Sequence, residues 1–406
     1  MKKKRIVIAG AGASGLTAAI MAARRGAAVT VLEQNDKPGK KICATGNGRC
    51  NLTNINMPPD AYRGTCPDFV SPALKAFSVQ DTIRFFSELG IYTINKKGYL
   101  YPRSGQAQSV ADVLAMEARS LGVKIKTRET VKNIVKDDVW KVQTETWVYE
   151  ADAVILANGS KSSNIAGSDG SGYVLAKNLG HNIIPPLPAL TPLKCKGNYY
   201  SSWAGVRTEG EITLHINDIP LKSEEGELQL TEYGISGIPV FQLSRYAVRA
   251  LEENCRVTLS VDFLPEFSEE GLHAFLEQRA KNCPYKNQKE LLVGLFPDKL
   301  IKVLCEQKNL EQAIKAYPLT VTGGLSFPYA QVCSGGVDTR EVNAVTMESF
   351  LEKGIYFAGE LLDIDGTCGG YNLQWAWSSG AVAGLSAAGE HVSDSQPDSH
   401  IHGKRD

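Results

Sequence analysis

The segment KRIVIAGAGASG, residues 4–15, constrains this chain more than any other stretch. Ile6-Val7-Ile8-Ala9 reads as a short buried strand, Gly10 to Gly12 as a turn, and Ala13 onward as a helix. The spacing of Gly10, Gly12 and Gly15 fits three separate needs: a tight turn, room for a pyrophosphate, and close helix–strand packing. Free N–H groups and the helix dipole at Ala13 and Ser14 favour phosphate. A glycine triplet alone is a weak signal, so its context decides. Leu16 to Arg25 has helical composition, Ala27 to Leu32 is a second apolar strand, and Glu33 closes that strand beside Gln34. A carboxylate at Glu33 suits a ribose hydroxyl pair and repels a 2′-phosphate. An ordinary βαβ turn is the plainer reading, and strand, helix and acid in register count against it. Lys2-Lys3-Lys4-Arg5 before an apolar run also resembles a secretory signal. The run is too short and too glycine-broken for one, so none is expected.

Residues 35–54 read NDKPGKKICATGNGRCNLTN and follow the second strand directly. Lys40 and Lys41 offer positive charge for phosphates. Thr45, Gly46, Arg49, Cys50 and Asn51 belong to a loop dense in small residues and donors, a better match to a cofactor than to a plain surface loop. Near the other end, residues 354–360 (GIYFAGE) form a strand ending at Gly359-Glu360. Residues 363–384 follow, DIDGTCGGYNLQWAWSSGAVAG, with a helix expected to start at Gly369-Gly370-Tyr371-Asn372 and run on through Leu373 to Gly384.

The stretches GKKICATGNGRCNLTN and DIDGTCGGYNLQWAWSSGAVAG resemble the signatures of the BaiN-type (YhiN-like) FAD-dependent oxidoreductases. The resemblance runs to about Gly389. It implies an α/β fold: a single FAD-binding Rossmann-like domain of glutathione-reductase type, interrupted by a β-rich domain and a small helical domain. The expected boundaries are 1–188 and 334–392 for the two FAD-domain pieces, 189–255 and 317–333 for the β-rich domain, 256–316 for the helical domain, and 393–406 for a disordered tail. In related flavoproteins a residue placed like Val131 gives its backbone groups to the adenine, and the plainer reading of this segment is the start of a β-hairpin. Residues 153–159 (AVILANG) resemble a motif that passes beneath the pyrophosphate, which brings in Asn158 and Gly159; Ser160 stands where a second glycine is usual. The helix start at Gly370 would face the flavin pyrimidine and stabilise charge arising on reduction. The competing view of that helix is structural, with Trp375 and Trp377 in the core and glycines for close packing.

The rest of the chain reads as helices at 72–89 and 109–121, a third parallel strand at 123–127, and a β-meander through 139–148. Beyond Pro185-Pro186-Leu187-Pro188 come short alternating strands, then helices over 269–281 (capped by Ser268), 289–296, 297–307 (Pro297 at the first helical position) and 310–316. Lys+Arg and Asp+Glu both number 44, so no global charge draws nucleic acid or an anionic membrane. No apolar run is long enough to span a bilayer. Nine cysteines without a CxxC pair fit reduced thiols in a cytoplasm and no metal site; His400 and His402 lie in a polar tail.

The expected cofactors are FAD and, as transient electron donor, NAD(P)H. The expected reaction is reduction of a small organic substrate, with the conjugated C=C of an oxo bile acid as the candidate implied by the resemblance. An aminoacetone-like amine oxidase using O2 is the enzymatic rival. A non-enzymatic electron carrier or redox sensor is the rival of another class, and a dithiol reductase and a flavin-dependent RNA-modifying enzyme are weaker still. No acid–base residue declares itself; Arg49, Tyr233, Ser236 and Tyr371 are candidates by location.

Overall fold

The computed structural model describes residues 3–197 and 200–389. The tail assigned to 393–406, with His400 and His402, lies outside them. The chain forms two compact units, Met1–Pro186 with Ser334–Asp406, and Leu187–Cys333.

The first unit is built on five parallel strands: β1 (Arg5–Ala9), β2 (Ala28–Glu33), β3 (Lys124–Thr127), β4 (Ala153–Leu156) and β5 (Ile355–Phe357). Their order across the sheet is β5-β4-β1-β2-β3. Ile8 of β1 pairs in register with Val31 of β2 and Ile155 of β4. The inner strands β1, β2 and β4 are rich in Val, Ile and Leu and largely buried, as parallel strands in the middle of a covered sheet are, whereas the edge strand β3, Lys124-Ile125-Lys126-Thr127, is mostly exposed. Helix α1 (Ala13–Arg24) follows β1, and helix α2 (Tyr371–Ala388) packs on it. The contact is close because side chains are missing where the axes meet. A Cβ at Gly380 would strike the Ser14 carbonyl, and one at Gly384 the Ala18 carbonyl. The expected meander is a three-stranded antiparallel sheet of Asn133–Lys136, Trp140–Gln143 and Val148–Ala151.

A single helix over 72–89 does not form. Helices Val70–Ala76 and Val79–Glu88 replace it, and Ser78 breaks the pattern. Its hydroxyl accepts from Asp81 N while Asp81 Oδ2 accepts from Ser78 N, a reciprocal cap that restarts the helix.

The second unit contains a closed six-stranded barrel. Its order is Leu193–Cys195, Gly234–Gly237, Ile219–Thr231, Arg207–Ile216, Val257–Asp262 and Tyr317–Gly324, and the last strand pairs back onto the first. Closure removes the sheet edges. Alternating Ile212, Leu214, Leu228, Leu230, Leu259 and Val261 point into one core. Leu272, Leu300, Ile301, Leu304 and Ile314 from the helices between Glu269 and Lys315 join that same core. The segment read as a helical domain, 256–316, therefore shares its hydrophobic interior with the barrel. Pro297 precedes its helix in an extended conformation, and the helix begins at Asp298. The helix expected over 289–296 is the single turn Gln288–Leu291.

Among the described residues no helix is long and apolar enough to cross a membrane.

Candidate functional site

The carboxyl ends of β1, β4 and β5 meet at a group of glycines with distinct jobs. Gly10 has φ +105°, and a Cβ there would collide with the Ala157 carbonyl oxygen. A Cβ at Gly15 would collide with the Gly10 carbonyl. Around Gly12 the opposite holds: no heavy atom lies within 4 Å of where its Cβ would be. Gly12 is the N-cap of α1, with no side chain capping the helix. The first-turn N–H groups at Ala13 and Ser14 have no side-chain cap, and the space beside Gly12 is open, which suits a diphosphate. Gly159, at φ +73°, also has nothing within 4 Å.

Glu33 is buried at the end of β2. Its Oε2 accepts from Ala11 N at 2.8 Å, and its Oε1 accepts from Asn35 N and Asn35 Nδ2, each at 2.8 Å. An ionised carboxylate offers about four acceptor sites, so three are already committed to the glycine turn and its neighbour. The acid thus fixes the turn itself. Gln34 Nε2 donates to the Gly167 carbonyl. The chain at Arg128 and Glu129 runs beside Asn35 and Glu33 through main-chain bonds and leads to buried Val131.

The two lysines part company. Lys40 pairs at 2.6 Å with Asp36, which precedes its helix in the turn, and lowers the Asp36 pKa through that bond. Lys41 turns inward, 2.6 Å from Glu360 Oε2 and 2.8 Å from Ser162 Oγ. Ser162 also bonds Glu360 Oε1 and Ser160 Oγ. This cluster ties the ends of β4 and β5 to the lysine segment. Ser160, in place of a second glycine, is buried as part of it.

The loop 45–51 is held by Thr45 Oγ1 on the Ile42 carbonyl and by Cys50 N on the Thr45 carbonyl. Gly46, Asn47, Gly48 and Cys50 all have positive φ, uncommon for the two that carry side chains. Arg49 is exposed. Burial pushes the Cys50 thiol up to about 12, and burial also raises Cys43. Neither is an activated thiolate of the kind a dithiol reductase needs.

Two amide oxygens are buried without a hydrogen-bond partner, Asn51 Oδ1 and Asn158 Oδ1. Such groups are costly unless a donor is supplied. Together with the open ground at Gly12 and Gly159, they fit FAD held along the ends of the strands.

Helix α2 starts at Gly370, whose φ is +97°. A Cβ there would sit 2.9 Å from Thr53 C and 3.0 Å from Asn51 Oδ1. Asn372 braces the preceding turn: its Oδ1 accepts from Gly366 N at 2.7 Å and its Nδ2 donates to the Gly366 carbonyl at 2.9 Å. Tyr371 donates its hydroxyl proton to the Asn56 carbonyl at 3.0 Å, which gives the ring a bracing role. Leu373 is half-buried against the core. Trp375 Nε1 bonds the Gly359 carbonyl and Trp377 Nε1 the Leu52 carbonyl.

Sequence reasoning passed over Gln374. It is fully buried; its Oε1 accepts from Thr53 Oγ1 at 2.6 Å, and its Nε2 donates to Thr82 Oγ1 and Ser378 Oγ at 2.9 Å. A lone glutamine among tryptophans and alanines was the available signal. Also passed over was the buried pair of Arg63 with Asp365, 3.3 Å apart, at the strand crossing before Gly366. Of the other candidates, Tyr233 lies in the turn before the barrel strand Gly234–Gly237, and Ser236 is buried on that strand. Both belong to the second unit. Among the described residues no group of three His, Cys, Asp or Glu side chains is placed to hold a metal.

The family model described as "HI0933-like protein Rossmann domain" matches residues 4–386. The 3-dehydro-bile acid delta(4,6)-reductase of Clostridium scindens is 45% identical, over 95% of this chain and 99% of that protein. The ribosomal RNA dihydrouridine synthase of Haemophilus influenzae is 32% identical, over 94% of this chain and 97% of that protein. The protein of that name in Escherichia coli is 31% identical, over 93% and 96%. With its Rossmann sheet, its glycine cradle and a family match across nearly its whole length, the chain belongs to the HI0933-like family of FAD-dependent oxidoreductases.

Proposed function

We propose that this protein reduces a carbon–carbon double bond conjugated to a carbonyl, with NAD(P)H as electron donor and an oxo bile acid or similar enone as acceptor. The observation that carries this reading is the 45% identity, end to end, with a reductase named for such a substrate. The chemistry has a wider base. A 4,6-dien-3-one and the C5=C6 bond of uridine are both alkenes activated by a carbonyl. The two kinds of relative therefore bear names that demand one step: hydride to the electron-poor carbon, and a proton to its neighbour.

When bound, FAD supplies a two-electron carrier between donor and acceptor. The chain's own residues would do the rest. Gly12, Ala13 and Ser14 would hold the diphosphate at the start of α1, and Gly15 lets that helix close on the Gly10 turn. Glu33 keeps that turn in shape. Asn158, Gly159, Gly359 and the Lys41–Glu360 pair line the strand ends. Gly370 and Asn51 bring the start of α2 close, where its dipole favours developing negative charge. The expected overall balance is NAD(P)H plus a proton plus enone giving NAD(P)+ plus saturated ketone.

Anaerobic mixing of the FAD-loaded protein with NADH or NADPH tests the first half: the flavin band should bleach. Adding a 3-oxo-4,6-diene bile acid should then restore the band with loss of the dienone absorbance. Restoration only by O2, with turnover of an amine such as aminoacetone, would favour the oxidase. Bleaching with no organic acceptor at all would favour an electron carrier. Restoration by uridine-containing RNA and not by the steroid would move the substrate to the second group of relatives.

A further inference from the structure

The small sheet of Thr53–Asn54, Tyr99–Pro102 and Thr93–Lys96 carries a face that the cofactor cradle does not use. In register, Asn54 lies opposite Tyr99, and Tyr99 opposite Lys96; Tyr101 lies opposite Ile94. Alternation puts Asn54, Tyr99, Tyr101, Ile94 and Lys96 on one side, with Leu100 buried on the other. That side abuts both glycine segments of the site. Asn54 Nδ2 donates to the Gly369 carbonyl at 3.2 Å, and Tyr99 Cε1 is 3.0 Å from where a Cβ on Gly369 would be. Tyr101 Cε1 is 3.9 Å from the equivalent point at Gly46. Tyr99 is 39% exposed and so offers an open ring face beside the start of α2.

The charged side chains that act on Tyr101 are cations. Lys96 Nζ stands 5.7 Å from the Tyr101 ring centroid. Arg49, exposed on the adjoining loop, acts on Tyr101 from close by and opposes the burial that raises its hydroxyl. Lys40, Lys41 and Arg63 around the cradle are each paired with a carboxylate. Among the described residues, Lys96 and Arg49 have no carboxylate partner. Two unneutralised cations beside the half-buried Tyr101 ring and the exposed Tyr99 ring suit a ligand that is flat and apolar at one end and anionic at the other.

We propose that Tyr99, Tyr101, Lys96 and Arg49 form the substrate-recognition wall of the flavin site, taking a fused-ring carbonyl compound whose anionic group meets Lys96 and Arg49. This rests on the reading given under Proposed function and names the recognition site within it. The tyrosines cover the ring system next to Gly369. The cations read the charged end and set a preference for acids over neutral analogues.

The test uses the full FAD-loaded chain and two probes, a 3-oxo-4,6-diene bile acid and its methyl ester. They differ only in the negative charge. Binding is read from perturbation of the oxidised flavin band without nicotinamide, so no turnover is needed. The parent should bind the acid about five-fold more tightly than the ester, the scale of a solvent-facing charge pair, and salt should erase the difference. The R49Q/K96Q double variant should bind both probes alike, at the parent's affinity for the ester. Tyr99→Ala should weaken both probes together, and Tyr99→Phe should restore them. FAD content and melting temperature report folding of each variant. A parent without preference for the acid, or a double variant that keeps it, overturns the proposal. So does a defect confined to the KM for NADPH, which would give the cations to the donor's phosphates. Flavin that NAD(P)H reduces, but whose band neither probe perturbs, overturns this wall and leaves the redox reading standing. Flavin that NAD(P)H does not reduce, with the acid preference intact, overturns the redox reading and leaves the wall.

Discussion

Two glycine-rich turns begin the two helices that meet in the cradle, and they use glycine in opposite ways. At the start of α1, Gly12 is extended and faces empty space. At the start of α2, Gly370 is left-handed and pressed against Thr53 and Asn51. The first glycine leaves room for a ligand; the second leaves room for the protein. Both create a helix N-terminus without a side-chain cap. The difference teaches that a glycine motif near a cofactor has to be sorted, residue by residue, into ligand clearance and chain clearance. Ligand clearance predicts a loss of binding with unchanged stability, whereas chain clearance predicts a loss of stability or a displaced helix start.

The largest effect expected from that contrast is at Gly15, which stands in the first motif but serves the chain. Gly15→Val drives a side chain into the Gly10 carbonyl. It should cost about 3 kcal/mol or more of stability, the upper end for overpacking, read by denaturant unfolding of the FAD-free protein. A stable variant would break the assignment of Gly15 to helix–strand packing.

Next is Gly370→Val. Left-handed strain of about 1–3 kcal/mol adds to the crowding at Thr53. The helix start should shift, and the flavin midpoint potential should fall by tens of millivolts while FAD still binds, about 30 mV corresponding to 1.4 kcal/mol for two electrons. An unchanged potential in a folded, FAD-bound variant would separate α2 from the flavin. Gln374→Leu sharpens the same point without touching a glycine. It removes the partner of the Thr53 and Thr82 hydroxyls, while Ser378 keeps its bond to the Phe77 carbonyl, at a cost of about 1–3 kcal/mol, and should lower both melting temperature and potential.

Gly12→Ala is the mirror case. Stability should stay within about 0.5 kcal/mol of the parent. FAD affinity should fall by about ten-fold, or 1.4 kcal/mol, measured by equilibrium dialysis. Loss of stability with unchanged affinity would reverse the roles given to Gly12 and Gly15.

The smallest effect concerns His181, outside both turns. Its ring lies edge-on to Phe357 of β5 at 4.7 Å between centroids, with Nε2 2.8 Å from Ser349 Oγ and Nδ1 3.1 Å from Glu341 Oε2. Burial lowers its pKa, with Glu341 opposing. The unfolded chain then binds the proton more readily than the folded one. Stability is complete above the unfolded value of about 6.5 and declines as pH falls below it. His181→Asn should flatten that part of the pH–stability curve.

Much of the cradle was legible because it is local. β1, the turn and α1 occupy one short stretch, and the glycine spacing carries its own geometry. The lysine pair shows the limit. Lys40 and Lys41 look equivalent as sequence, yet one pairs with Asp36 in its own turn and the other with Glu360, 319 residues away. Tyr371 looked like a proton donor by location, but its hydroxyl proton goes to the Asn56 carbonyl. The helix expected over 72–89 failed for a local reason that was readable, the Ser78–Asp81 cap.

The sequence by itself determined the nucleotide turn, the parallel α/β class and the existence of a second helix start, since each depends on spacing within a few turns of chain. It also determined the balance of charge that leaves no global field. Only the tertiary structure decided which charges remain unpaired, which glycines face open space, and that Gln374 meets Thr53 across 321 residues. It also decided that Tyr99 stands beside Gly369. Those facts depend on contacts between segments far apart in the chain, and residue order carries no geometric record of such contacts until the sheet and helices bring them together.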